Sequence, residues 1–464
     1  MSFIDILNKI DGFVWGLPII ILLVGTGIYL TCGVGFIQFT RIGYWMKNTL
    51  GKALKGHAEA GKGEVTPFQA LCTALAATIG TGNISGVAGA IAVGGPGAVF
   101  WMWISAIFGM VTKYSEVLLS VKFRERNKLG DWVGGPMYYI KNGLGEKWKW
   151  LASIFAIFGA FAAFGIGNCT QVDSMTSAAS NILKLFVPNI NYNITKFVLG
   201  VIVAIVVGYA LLGGIKRLGQ MLERIVPFMA VLYVAAGLIV LIFNIGNLPS
   251  VFSAIFKGAF NPSAVVGGAL GITVKTAMTK GIGRGLFSNE AGLGSAPIAH
   301  AATSNEDPVE QGLYGIFEVF ADTIVVCTFT ALIILCGNTV GGITYGQSAD
   351  FNLTIQGMAS TLPFSIATII VGLCLILFAL STVLSWALYG TRCAEFVFGE
   401  KSIRIYQVIF CIFIVAGGYM GLDAAWTLAS ILNALMAIPN LVALWPLSGL
   451  IFKMTKDYFK KLEA

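Results

Sequence analysis

Thr78-Ile79-Gly80-Thr81-Gly82-Asn83-Ile84-Ser85-Gly86 lies in the middle of an apolar stretch that runs from Pro67 to Val93. Each glycine weakens a helix by about 1 kcal/mol relative to alanine. The β-branched Thr78, Ile79 and Thr81 lose side-chain freedom in one. A helix can therefore unwind here. Lipid offers no partners to the peptide groups that unwinding frees, so they must line a buried polar cavity. The N–H groups of Gly80, Thr81, Gly82 and Asn83 would open a half-helix, and its positive dipole end suits an anion. Carbonyls near Ala76, Ala77 and Thr78 would end the other half. Such oxygens suit an ammonium group or a hard metal cation. An interrupted helix at mid-membrane is the sequence mark of a transporter's site. Close packing of small residues is the competing explanation, but it has no use for the polar groups of Thr78, Thr81, Asn83 and Ser85.

The elements that must hold this stretch are membrane spans. Of 464 residues, 56% are hydrophobic and only 11% charged, against roughly 25% charged in soluble domains. Apolar runs of spanning length fall at about 13–33, 67–93, 98–121, 150–185, 195–214, 225–244, 263–279, 310–337, 363–390, 405–421 and 426–452. The expectation is an all-α polytopic membrane protein of about eleven transmembrane helices. Its net charge of +8 comes from loops, namely Arg41 to Lys62, Lys122 to Lys149, Lys216-Arg217 and the tail Lys453 to Lys461. By the positive-inside rule these loops and the C-terminus are cytoplasmic and the N-terminus is outside. The basic charge is then a topology signal and not a nucleic-acid footprint. Asp5 and Asp11 precede the first apolar run, which argues against a signal peptide. The eight cysteines sit in or beside apolar segments without C-x-x-C spacing and read as small buried hydrophobes. Gly56 to Lys62 spells G-x-x-x-x-G-K, but Gly63 follows and no strand precedes, so it fails as a phosphate loop.

Five spans follow the first basic loop, starting with an interrupted helix that enters from inside. Five more start with a second glycine-rich segment, Gly267-Gly268-Ala269-Leu270-Gly271-Ile272-Thr273, entering from outside. The halves are therefore inverted. The division is an extra helix and loop at 1–65, a first repeat at 66–245, an external segment at 246–262, a second repeat at 263–452 and a tail at 453–464. Inverted repeats with paired discontinuous helices bind substrate at the bilayer midplane.

Three runs give the chain a likeness to a known family: Thr78 to Asn83, Gly94-Gly95-Pro96-Gly97-Ala98-Val99-Phe100-Trp101-Met102-Trp103, and Gly281-Ile282-Gly283-Arg284-Gly285-Leu286-Phe287-Ser288-Asn289-Glu290-Ala291-Gly292-Leu293-Gly294. Over nearly its whole length the chain resembles the alanine/glycine:cation symporters, a branch of the LeuT-type fold. That resemblance implies sodium-coupled import of small neutral amino acids by alternating access, in the cell membrane. Sodium is then the coupling ion, and no organic cofactor is expected. Gly80-Thr81-Gly82-Asn83 is similar to the G-x-G-N core of LeuT-type transporters. The second sodium site of that fold implies Ala76 and Ile79 from the first interrupted helix and Phe378, Ser381 and Thr382 from the eighth core helix. Phe378 departs from the small residue usual there, though its carbonyl remains. Hydrogen bonds back to their own helix are the competing role for Ser381 and Thr382.

Substrate contacts are expected from Thr78, Gly80, Thr81, Gly82 and Asn83. The third core helix would add Phe164, Asn168 and Gln171, because three-residue spacing puts Asn168 and Gln171 on one face. The second glycine-rich segment would add Gly271, Ile272, Thr273 and Thr276. Asp173 is a further candidate ligand for sodium or a proton. Lys275 near the bilayer centre would cost at least ~2.5 kcal/mol and needs a partner or a route to the cytoplasm. Glu318 and Asp322 read as a structural or gating pair, Lys113 and Glu116 as residues near the cytoplasmic interface, and 281–303 as a cytoplasmic helix-turn under the bundle. Proton coupling is the alternative for the ion. A channel is a weaker reading, since no ring of filter residues occurs. No H-E-x-x-H, G-x-S-x-G or catalytic aspartate pair suggests an enzyme.

Overall fold

The computed structural model describes residues 3–53, 60–61, 63–262, 265, 272–337, 342–347, 349–420 and 423–463. The Gly56 to Lys62 run and the glycines at 267, 268 and 271 lie largely or wholly outside these residues. Eight described helices are long and apolar enough to cross a membrane, and a bent pair makes nine. The two remaining expected spans are those at 263–279 and 405–421. Many large apolar side chains point outward, among them Ile205, Leu212, Val231, Ile242 and Ile412. An apolar belt of this extent is tolerable only against lipid, so the protein is a multi-pass membrane protein.

Helices α1 (Phe3–Val14) and α2 (Leu17–Gly33) precede the bundle. Helix α3 (Pro67–Thr78) starts sharply, with Pro67 in its first turn. Gln69 N–H donates to the Thr66 hydroxyl, and the Thr66 N–H donates to the Gln69 side chain, each over 3.1 Å. That reciprocal cap satisfies two otherwise orphaned donors. The helix stops where Ile79 turns extended, at φ −78° and ψ 90°. Helical structure resumes through a wide π-type turn, Gly82–Gly86, into α4 (Val87–Gly94). The two halves are bent by 48°. Gly95, at φ +73°, then reverses the chain into α5 (Gly97–Lys122).

The chain continues with α6 (Lys149–Phe164), α7 (Thr170–Phe186), α8 (Tyr192–Leu212) and α9 (Gly214–Phe243). After α10 (Leu248–Phe260) comes α11 (Val274–Asn289), the irregular segment 290–295, and α12 (Ala296–His300). The chain ends with α13 (Pro308–Val319), α14 (Thr328–Gly337), α15 (Phe364–Phe398), α16 (Ser402–Met420) and α17 (Asp423–Glu463). A wide turn, Phe320–Cys327, joins α13 to α14.

The glycine run at 267–273 lies mostly outside the described residues, and an interruption falls further along, at 290–295. Residues 281–303 do not form a cytoplasmic helix-turn. Helix α11 lies inside the bundle beside α5. A methyl group added at Gly281 would meet Ala98, and one at Gly285 would meet Met102 and Ser105. This four-residue glycine spacing lets two helices approach closely. One at Gly109, halfway along α5, would meet Ala291 at 3.0 Å. The chain breaks there, with Glu290 at φ +56°, Gly292 at +87° and Gly294 at +80°. The glycines of this run serve close packing at 281 and 285 and a buried turn at 292 and 294.

The two interrupted segments run antiparallel. At one end Gly94 adjoins Ala277 and Lys280, and at the middle Gly82 adjoins Phe287 and Ser288. At the other end the Val65 N–H donates to the Ala302 carbonyl over 3.0 Å and the Ser304 N–H to the Val65 carbonyl over 2.8 Å. This last end carries the basic loops, tied by the ion pairs Arg41–Glu463, Lys52–Glu310 and Arg126–Glu64. The segments 65–94 and 277–304 therefore run in opposite directions through the bundle.

Lys113 and Glu116 are fully buried in α5. Lys113 pairs with Glu318 at 3.0 Å, both side chains wholly out of solvent. His300 reaches the same carboxylate at 3.4 Å and lies 2.9 Å from the Gln311 amide. Removing one partner of a buried pair typically costs about 3–5 kcal/mol. Lys113→Met is therefore expected to lower the melting temperature of the purified protein by several degrees. Lys113→Met with Glu318→Leu should recover most of that loss. Equal melting of the single variant and the parent would show that the pair contributes nothing.

Candidate functional site

Four of the five expected sodium ligands converge. The Thr382 hydroxyl donates over 2.9 Å toward both the Ala76 and Phe378 carbonyls. The Ser381 hydroxyl lies 2.9 Å from the Phe378 carbonyl and 3.4 Å from that of Ala76. These residues are all essentially buried. Ala76 contributes because α3 stops just beyond it, which frees its last carbonyls. Two hydroxyls and two carbonyls form a neutral all-oxygen set, the donor chemistry a hard cation takes. Ile79 is buried at the extended link itself. One turn along α15, the Ser385 hydroxyl donates to the Thr73 carbonyl over 2.8 Å, so this face of α15 is fastened to α3 by hydroxyls.

The donors at the first interruption are held by polar side chains. The Gly80 N–H donates to Asn83 Oδ1 over 2.8 Å, and the Thr81 N–H to Gln171 Oε1 over 3.4 Å. A methyl group at Gly80 would sit 2.6 Å from the Thr382 hydroxyl and 3.5 Å from Gln171 Oε1. Gln171 thus joins Gly80, Thr81 and Thr382. The Thr78 hydroxyl bonds back to its own helix, at 3.2 Å from the Leu75 carbonyl.

Phe164 and Asn168 face elsewhere. The Phe164 ring packs against Tyr406, Phe410 and Phe413 of α16, and the Asn168 amide donates to the Phe410 carbonyl over 2.9 Å. A wide turn at Gly165–Cys169 separates α6 from α7. Such a turn adds a residue to the helical repeat and takes Asn168 off the Gln171 face. Ile272, Thr273 and Thr276 sit at the start of α11, level with Gly94, where Thr273 caps the helix from an exposed position. They do not meet the interruption, and Gly271 lies outside the described residues. Lys275 is exposed at the same helix end, so it is not a mid-membrane cation. Asp173 is half exposed and pairs with Lys196, away from the site.

Sequence reasoning missed a cluster on the far side of the turn. Asn83 Nδ2 donates to Asp322 Oδ1 over 2.6 Å, and the Ser288 hydroxyl donates to the same oxygen over 3.1 Å. The Thr323 hydroxyl donates to Asp322 Oδ2 over 2.7 Å and accepts from the Asn289 amide over 3.0 Å. The cluster is buried and links both interrupted segments to the wide turn at Phe320–Cys327. Glu318 and Asp322 therefore do not act as a pair, because Glu318 goes to Lys113 and Asp322 to Asn83. Asp322 was legible as a charge inside a span, which is expensive and marks function. Ser288 and Asn289 carried no signal beyond the run they belong to.

The second interruption is held as firmly. The Trp386 indole donates to Glu290 over 3.0 Å, and the Ser295 hydroxyl bonds the same carboxylate. Asn440 of α17 donates to the Gly292 carbonyl over 2.9 Å and also contacts Glu116 and Tyr139.

Paired interruptions on antiparallel helices, packed inside a bundle of spans, define a transporter of the LeuT type. Solved folds agree. The crystal structure of MhsT in complex with L-phenylalanine matches with TM-score 0.54 at 13% identity, covering 85% of this chain and 100% of that one. Mhp1, a nucleobase-cation-symport-1 family transporter, matches with TM-score 0.52 at 14% identity, covering 86% and 79%. The chain belongs to the sodium:alanine symporter family, whose profile matches residues 1–464, a family of transporters and not of enzymes. It is 45% identical to an uncharacterized transporter of Haemophilus influenzae, covering 100% of this chain and 98% of the relative. It is 43% identical to the sodium/alanine symporter AgcS of Methanococcus maripaludis, covering 100% and 99%. A probable sodium/glutamine symporter of Bacillus subtilis, GlnT, is 36% identical, covering 98% and 90%.

Proposed function

We propose that this protein imports small neutral amino acids, alanine and glycine first among them, together with sodium by alternating access. The observation that carries the reading is the neutral oxygen set of Ala76, Phe378, Ser381 and Thr382 against Gly80 of the unwound turn. Sodium held there neutralises the carbonyl end of α3 and fixes the geometry of Gly80 and Thr81. Their N–H groups then leave Asn83 and Gln171 for the substrate carboxylate, and the Gln171 amide lies beside it. Ile79 closes the ion from the membrane side, and Gly82 and Asn83 shape the far wall. The basic loops face the cytoplasm in this reading, with the N-terminus outside. The units 66–245 and 263–452 are the inverted repeats, set apart by 246–262 and flanked by 1–65 and 453–464. Rocking between the units opens the site to each side in turn.

The similarity to AgcS favours alanine, and the similarity to GlnT makes glutamine the competitor to test. Uptake of labelled alanine into proteoliposomes is expected to require an inward sodium gradient and to be displaced by glycine better than by glutamine. Uptake indifferent to sodium would reject the coupling. A second reading rests on the Asp322 carboxylate, which accepts from Asn83 beside the turn. Coupling through a proton there predicts accumulation driven by an inward pH gradient in sodium-free medium.

A further inference from the structure

A cavity of about 570 Å³ opens at the end of the bundle that carries the basic loops. It lies between the turn joining α8 to α9, at Gly213 and Gly214, and the turn joining α15 to α16, at Glu400 and Lys401. Much of its wall is apolar, from Leu211, Leu212, Ile215, Leu388 and Ile403. The charged groups on that wall divide into two sets. One set is satisfied. Arg392 is buried and donates to Asp131 over 2.8 Å and to Glu395 over 2.7 Å, and the Glu400 carboxylate accepts from the Lys128 N–H over 2.9 Å. The other set is not. Lys401 and Arg404 are exposed, and among the described residues neither forms an ion pair within 4.0 Å. Arg404 donates to the Gln407 side-chain oxygen over 3.3 Å, a neutral partner. Two uncompensated positive charges therefore stand beside anions that are already engaged.

The same hairpin is basic on another face. A second cavity, of about 390 Å³, is lined by Arg217 and Arg224 of α9. Neither forms an ion pair among the described residues, and Arg217 lies 4.5 Å from the Tyr209 ring centre. Away from these charges the surface turns apolar. Helices α8 and α16 lie side by side, since a methyl group at Gly200 would sit 3.6 Å from the Ile414 carbonyl oxygen and one at Gly208 3.8 Å from Cys411 Sγ. Ile205 and Leu212 of α8, with Ile405, Val408 and Ile412 of α16, are each at least 60% exposed. Spacings of three, four and seven put each set on one helix face. This strip begins at the cavity, because Leu212 lines it and Ile405 follows Arg404.

We propose that the cavity holds the headgroup of an anionic phospholipid from the leaflet on the basic-loop side. The phosphate sits between Lys401 and Arg404, and the acyl chains lie along the outward faces of α8 and α16. A guanidinium suits a phosphate through its fork of donors, and basic pockets between spans at this level recognise acidic headgroups. A zwitterionic lipid carries its own cation and leaves the charges of Lys401 and Arg404 uncompensated. A soluble anion has no use for the apolar strip. The lipid bridges the α8–α9 and α15–α16 turns, and α15 is the helix that carries Ser381 and Thr382. The inference is independent of which solute is transported, since it needs only a bilayer.

The test is lipid binding to the purified full-length protein in neutral detergent, with bound lipids per chain read by native mass spectrometry during titration. The parent is expected to hold one phosphatidylglycerol and to prefer it over phosphatidylcholine. Lys401→Gln with Arg404→Gln should weaken phosphatidylglycerol about thirtyfold, and Arg404→Gln alone about fivefold, without changing phosphatidylcholine. Lys401→Arg with Arg404→Lys keeps both charges and should bind as the parent does. Lys147→Gln with Lys149→Gln, at exposed cations of another basic loop, should also match the parent. Unaltered binding by the Lys401→Gln, Arg404→Gln protein would overturn the site. So would an equal loss in the Lys147→Gln, Lys149→Gln protein, which would reduce it to diffuse surface charge. Equal binding of phosphatidylcholine by the parent, or displacement of phosphatidylglycerol by inorganic phosphate, would overturn it as well.

Discussion

Thr382→Ala is expected to raise the sodium concentration that half-saturates alanine uptake by about tenfold or more. The Thr382 hydroxyl lies 2.9 Å from each of two carbonyls, Ala76 and Phe378, that end or line the same small space. A hydrogen-bonding or coordinating oxygen lost from a charged partner is worth about 1.5–3 kcal/mol, and each 1.4 kcal/mol is roughly a tenfold change in affinity. Thr382→Ser keeps the oxygen and should stay close to the parent. Ser385→Ala removes a hydroxyl one turn away that bonds the Thr73 carbonyl, so it should leave sodium activation unchanged. Sodium activation curves for the four proteins in proteoliposomes make the comparison. A parent-like curve for Thr382→Ala would remove Ala76, Phe378, Ser381 and Thr382 from the ion site.

The second large effect is expected at Asp322. Its carboxylate accepts from Asn83, Ser288 and Thr323, which belong to the first interrupted segment, the second, and the wide turn beyond α13. Both broken helices thus meet on one buried carboxyl group. Asp322→Asn keeps the shape but leaves Asn83 facing an amide that must also place its own two hydrogens. Two charge-assisted bonds are weakened together, so uptake should fall by about two orders of magnitude. Folding should survive, because the change is nearly isosteric. Asn83→Leu removes the partner and should weaken sodium dependence as well as transport, since Asn83 Oδ1 also caps the Gly80 N–H at 2.8 Å. Initial uptake rates and size-exclusion profiles together check this. An Asp322→Asn protein that transports within about twofold of the parent would show the cluster to be mere scaffolding.

Much of this was legible because membrane physics leaves few options. Apolar runs gave the spans, and Thr78 to Gly86 marked the first interruption without any structure. Ala76, Phe378, Ser381 and Thr382 were legible only through resemblance, because their spacing alone fits helix back-bonding equally well. The break at 290–295 was not anticipated. The run 281–303 reads as a cytoplasmic helix-turn under the bundle, yet Gly281 and Gly285 serve to bring α11 against α5. Sequence does not distinguish a glycine that unwinds a helix from one that lets a neighbour in. Phe164 and Asn168 were lost to a similar cause: a wide turn at Gly165–Cys169 rotates the face on which three-residue spacing had put Asn168 with Gln171. Partners of buried charges were not legible either. Lys113–Glu318 and Asp322–Asn83 span 205 and 239 residues of sequence, and no local pattern links them.

The central claim is that peptide groups freed at the first interruption hold the amino acid while the Ala76–Thr382 oxygens hold sodium. The most direct measurement is a structure of the full-length protein determined in sodium and alanine. The account predicts an amino acid against Gly80, Thr81 and Gln171, with an ion between the Ala76 carbonyl and the Ser381 and Thr382 hydroxyls. An α3–α4 turn with no ligand against it, and alanine bound only at a distance from both interruptions, would contradict it.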